Sequence, residues 1–71
     1  MMSEHFRPDL DAQVRARKIV RARFPMATSA YVESGAVIYD DTTGNQLGMA
    51  TSGDWAVEIA WQDAAQRVSC G

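Results

Sequence analysis

The sequence predicts a single α+β domain of order α-β-β-β-α, and three observations predict it. Residues 9–23 carry apolar side chains at helical spacing, 28–51 carry β-branched and aromatic residues punctuated by glycines, and 52–68 return to helical spacing. Helices at both ends of an antiparallel three-stranded meander are expected to pack on one face of the sheet. The other face is left to solvent or to a partner.

The first helix is expected from Pro8 or Asp9, with Asp11 favourably placed in its first turn, to Arg23. Pro25 ends it by biasing Phe24 away from helical angles. Ala12, Ala16, Ile19 and Val20 form its core stripe at i, i+4, i+7 and i+8. Strands are expected at 28–33, 36–40 and 46–51. Ser34-Gly35 serves as a two-residue turn, and "DDTTGN" as a longer loop in which Gly44 or Asn45 takes positive φ. That turn sets Val32 opposite Val37, Ala30 opposite Tyr39 and Tyr31 opposite Ile38, so both faces of the hairpin carry apolar groups. The second helix is expected to be capped by Thr51 or Ser52 and to reach Val68. Residues 1–8 read as a flexible lead, 9–68 as the domain and 69–71 as a flexible tail.

A 71-residue chain with 46% hydrophobic and 23% charged residues suits one folded domain of marginal stability. The lone Cys70 has no internal disulfide partner, which points to a reducing cytoplasm. No apolar run suits a signal peptide or a membrane span of about 20 residues.

The two tryptophans sharpen the reading of the second helix. Trp55 and Trp61 are six positions apart and point roughly 240° away from each other on one helix. Val57, Trp61, Ala64 and Val68, flanked by Ala60 and Ala65, make the buried stripe. Trp55 and Ile59 then form an exposed apolar patch and a candidate protein-binding anchor.

Charge is strongly segregated. Arg15, Arg17, Lys18, Arg21 and Arg23 are five of the seven basic residues, whereas 26–66 carries only the acids Glu33, Asp40, Asp41, Asp54, Glu58 and Asp63. Arg17, Lys18 and Arg21 are expected on the helix face away from Ala12, Ala16 and Val20, a candidate phosphate-binding stripe. The ordinary alternative is a solvated face whose arginines pair loosely with Asp54, Glu58 or Asp63. The element order resembles a double-stranded RNA-binding domain, but the second helix opens with "SGDWAVE" in place of that family's lysine cluster, which counts against duplex RNA. Asp40 and Asp41 with Asp54 and Glu58 form a candidate acidic set able to imitate phosphates in a basic groove.

Chemistry-bearing constellations are missing from the sequence. His5 is the only histidine and falls in the lead, Cys70 has no histidine near it, and the glycine stretches match no phosphate loop. The expectation is a protein that is not an enzyme and uses no metal or cofactor.

The stretches "ARKIVRARFPMA", "VIYDDTTGNQLGMAT" and "AWQDAA" resemble a set of small phage and prophage proteins. The "SGDWAVEI" segment before "AWQDAA" makes a longer link from hairpin to tryptophan than is usual in that set. The resemblance implies a non-enzymatic inhibitor of the anti-CRISPR kind that binds a bacterial defence complex in the host cytoplasm. In that reading Trp55 and Ile59 anchor the interface, while Asp40, Asp41, Asp54 and Glu58 compete with nucleic acid. The alternatives are a nucleic-acid-binding regulator using Arg17, Lys18 and Arg21, and a homodimer pairing open sheet faces through Tyr31 and Ile38.

Overall fold

A computed structural model describes residues 10–51 and 55–70 of the chain. Helix α1 spans Leu10–Arg23, strands β1, β2 and β3 span Ala27–Val32, Gly35–Asp40 and Gln46–Thr51, and helix α2 spans Ala56–Cys70. The strands pair antiparallel in the order β1-β2-β3. The fold is the α-β-β-β-α meander that the periodicity predicts. The expected lead 1–8 and the cap Ser52 lie outside the described residues.

In α1 the backbone ladder reaches the proline boundary, where the Phe24 N–H still donates to Val20 O at 2.8 Å. The buried side of this helix is Gln13, Ala16 and Val20, with Arg17 and Phe24 half-buried. Ile19, expected in the stripe, is exposed. The helix is rotated relative to that expectation because Arg17 and Arg21 are drawn over the ring of Trp61 on α2.

The β1–β2 hairpin forms, but in a register two residues away from the expected one. Glu33 and Ser34 make the turn, so Val32 faces Gly35, Tyr31 faces Ala36, Ala30 faces Val37 and Ser29 faces Ile38. Gly35 is the first residue of β2, not a turn residue. Its φ is +143°, and a Cβ there would lie 2.0 Å from the Ala50 carbonyl oxygen on β3. Only glycine permits the strands to approach so closely at that point. A bulge between Ile38 and Tyr39 gives β3 an extra residue, and Gly44 takes positive φ in the following loop as expected.

Alternation along β2 sorts its side chains cleanly. Ala36, Ile38 and Asp40 are buried, while Val37 and Tyr39 are half-buried on the other side. Both helices lie on the Ala36–Ile38 side. Helix α2 lies over β3 and β2, and α1 packs along α2. The contact with β3 is made at backbone distance, since a Cβ on Gly48 would sit 2.5 Å from the Ala64 nitrogen.

Helix α2 starts at Ala56, later than expected, and Thr51 ends β3 instead of capping the helix. It continues through Ser69 and Cys70, into the expected tail. Its buried residues are Ala56, Ala60, Trp61, Ala64 and Ala65, with Val57 and Val68 half-buried at the flank. Among the described residues, eight of the eleven buried apolar residues of the core cluster are alanines, and Trp61, Ile38 and Val20 are the larger ones, with Phe24, Leu47, Val57 and Ile59 packed against them half-buried.

Candidate functional surface

The sequence singled out four groups of residues, and the structure separates several of them. Trp55 and Trp61 do part company as the helical geometry requires. Trp61 is 3% exposed in the core, and Trp55 is 38% exposed. Trp55 nonetheless sits outside the helix, in a turn with φ +68°, and its carbonyl accepts the first helical bond from the Ile59 N–H at 2.9 Å. A non-glycine residue there carries strain of about 1–2 kcal/mol. Ile59 is half-buried, packs against the core and lines the groove between α1 and α2 with Ile19 and Ala65. The expected exposed Trp55–Ile59 patch on one helix face is therefore corrected. The two residues belong to different surroundings.

The acidic set is also divided. Asp40 is 8% exposed and organises the loop after β2. Its Oδ1 accepts from the Thr42 N–H, its Oδ2 accepts from the Thr43 hydroxyl, both at 3.1 Å, and its carbonyl accepts from the Gly44 N–H. Such a carboxylate is turned into its own loop and holds the turn. Asp41 is exposed beside it, with its N–H donating to Met26 O. Glu58 lies in the first turn of α2, which follows Thr51 at the Gly35 end of the sheet. The two ends of β2 are about 16 Å apart at strand rise. Asp54 lies outside the described residues.

Arg17 and Arg21 do not face away from the core, which corrects the expected stripe. Their guanidinium carbons stand 5.9 and 5.0 Å from the centroid of the Trp61 ring, cation–π contacts worth about 0.5–1 kcal/mol at exposed sites. Arg21 also donates from Nε to the Ala27 carbonyl at 3.3 Å. Lys18 is exposed. The expected pairing of these arginines with Asp63 is replaced by a pair within α2, Arg67 Nε to Asp63 Oδ2 at 3.0 Å.

The homodimer face was placed on the wrong side of the sheet. Ile38 is fully buried under the helices, and Tyr31 shares its face but projects past the helix cover at 81% exposure. The uncovered side carries Ala30, Val32, Val37, Tyr39 and Met49 instead, with Ala30, Val37 and Met49 in one cross-strand row. Val32 and Met49 are exposed there and the others half-buried. The expected hairpin groups Ala30, Val32, Val37 and Tyr39 on one face, as observed, but leaves the Tyr31–Ile38 face open where the structure covers Ile38. The signal was in "GAVIYD", where the set containing Asp40 and the smaller Ala36 goes under the helix and the bulkier set stays bare.

Asp63 was missed as a structural group. Its Oδ2 accepts from the Met49 N–H at 2.9 Å and so ties α2 to the outer edge of β3. Among the described residues, no group of three His, Cys, Asp or Glu side chains is placed to hold a metal ion, and no helix is long and apolar enough to cross a membrane. Comparison with known proteins finds no matching family model, no matching curated protein and no matching solved structure.

Proposed function

We propose that the chain is a non-enzymatic protein-binding module whose working surface is the bare face of the sheet, and that its target is a bacterial defence complex of the CRISPR-Cas type. One observation carries the binding reading: the bulky apolar side chains Val32, Val37, Tyr39 and Met49 occupy the face that neither described helix covers. A contiguous exposed apolar patch on a small domain is the usual mark of a protein interface. The choice of target rests on the resemblance of the first-helix, hairpin and second-helix stretches to small phage proteins. Steric obstruction by the sheet face is the mechanism these surroundings support. The acidic competition mechanism loses its basis, because Asp40 is spent on its loop and Asp41 lies at the other end of the sheet from Glu58.

The test compares the tagged protein with a Val37→Lys/Met49→Lys variant shown to be folded by circular dichroism. Each is incubated with purified Cas effector complex and with nuclease-treated lysate of bacteria that carry it. Retention of the complex by the unaltered protein and its loss in the variant is the expected result. Equal retention by both overturns the surface assignment. Recovery of nucleic acid alone, abolished by nuclease, overturns the proposal in favour of a regulator acting through Arg17, Lys18 and Arg21.

A further inference from the structure

The two edges of the sheet are built differently. On β3 the Met49 N–H is taken by the Asp63 carboxylate, Arg67 holds that carboxylate, a bulge interrupts the pairing with β2, and the α2 backbone presses on Gly48. These features hinder an added strand at the middle of that edge. On β1 the first residue, Ala27, has its N–H bonded to Phe24 O and its carbonyl bonded to Arg21 Nε, both away from β2. Backbone direction alternates along a strand, so Ser29 and Tyr31 turn their N–H and C=O groups to the same outer edge. Those groups take no partner among the described residues. Strand β1 holds no charge, no proline and no bulge, the devices by which edge strands avoid one another.

We infer that a second copy of this chain pairs antiparallel along β1, with the two-fold axis at Ala30, to make one continuous six-stranded sheet. The register follows from the free groups. Pairing Ser29 with Tyr31 of the second copy, and Tyr31 with its Ser29, lets each pair exchange both N–H···O bonds and leaves no outward group of either residue unused. Shifting by two residues in one direction would need the Ala27 groups, which are already engaged. Ala30 meets its own copy at the axis with the smallest side chain compatible with a strand. The apolar row Met49, Val37, Ala30 then continues into Ala30, Val37 and Met49 of the second copy. Tyr31, 81% exposed in one copy, gains cover beside Ser29 of the other. The same register brings residue 33 alongside residue 27, so the exposed Glu33 of each copy meets the Arg21 that serves the Ala27 carbonyl of the other. The contact is isologous and consumes the β1 edge of both copies, so it closes on itself as a dimer. The inference stands whatever protein the bare face takes.

Sedimentation equilibrium over a wide concentration series tests it, read together with amide hydrogen exchange. The expected result is a mass of twice 7.8 kDa at high concentration falling toward 7.8 kDa on dilution. The Ser29 and Tyr31 amides should gain protection in step with the dimer. Ser29→Pro removes an outward N–H that β2 does not use and should give a monomer with an unchanged circular dichroism spectrum. Tyr31→Lys is the second variant should the proline fail to fold, because its exposed side chain supports nothing within one copy, and it too should give a monomer. Glu33→Arg should weaken dimerisation severalfold. A monomer at every concentration overturns the inference, as does a dimer in which the Ser29 and Tyr31 amides of the unaltered protein stay unprotected.

Discussion

On the side that α2 covers, the sheet presents Ala36, Gly48 and Ala50 with Ile38 as its one fully buried large side chain, whereas the bare side presents Val32, Val37, Tyr39 and Met49. Small residues thus sit where burial is complete, and bulky ones where it is not. The covered side gains its stability from closeness: helix and strand backbones approach until Gly48 has no room for a methyl group. Dispersion rewards such contact atom by atom, but the apolar area removed from water per residue is modest. The apolar area that would make an ordinary core is kept on the bare side, where none of the described helices covers it.

If that contrast is right, changes on the covered side should dominate stability. The largest effect is expected at Trp61, the large aromatic buried in the alanine-rich core, which lies between α1 and α2 and carries Arg17 and Arg21 over its ring. Trp61→Ala should cost about 3–5 kcal/mol, comparable with the whole stability of so small a domain. Urea titration followed by far-ultraviolet circular dichroism should therefore find no cooperative transition. Next comes Gly48→Ala. Its Cβ would press on the Ala64 backbone, which cannot rotate away, so helix and strand must separate at about 3 kcal/mol or more. A shift of the urea midpoint by less than that implied by 1 kcal/mol would show that α2 does not rest on β3 at that distance.

The element order was legible because it depends on local periodicity, and so was the separation of Trp55 from Trp61, which follows from helical angle alone. The hairpin register was not. Gly35 looked like a turn residue, and its true reason, the nearness of Ala50 on β3, joins residues fifteen positions apart. The roles of Arg17 and Arg21 were hidden for the same reason, since their aromatic partner lies on the other helix. Asp63 illustrates the limit further: its partner is the Met49 backbone, and no side-chain pattern marks a backbone N–H left over at a sheet edge. Asp40 was nearer to legible. An aspartate followed by two threonines and a glycine is the composition of a side-chain-stabilised turn, yet it was read for its charge. What the sequence withheld was which of two alternating sets would face the helices, and the candidate surface depends on that choice.

The smallest effect is expected on the bare face, and two adjacent residues give the contrast its sharpest form. Val37→Thr keeps the β-branched shape and the strand preference, and the new hydroxyl meets water because none of the described elements lies over it, so stability should change by no more than about 0.5 kcal/mol. Ile38→Thr makes a similar chemical change one position along, but on the side that α2 seals. There it removes buried carbon and leaves a hydroxyl without a partner, at a cost of about 2–4 kcal/mol. Urea midpoints of the two variants, measured at a concentration where each is a single species, separate the faces directly. Comparable losses from both would mean that the Val37 side is already covered within one chain, and the apolar row from Met49 to Ala30 would then be core and not an interface.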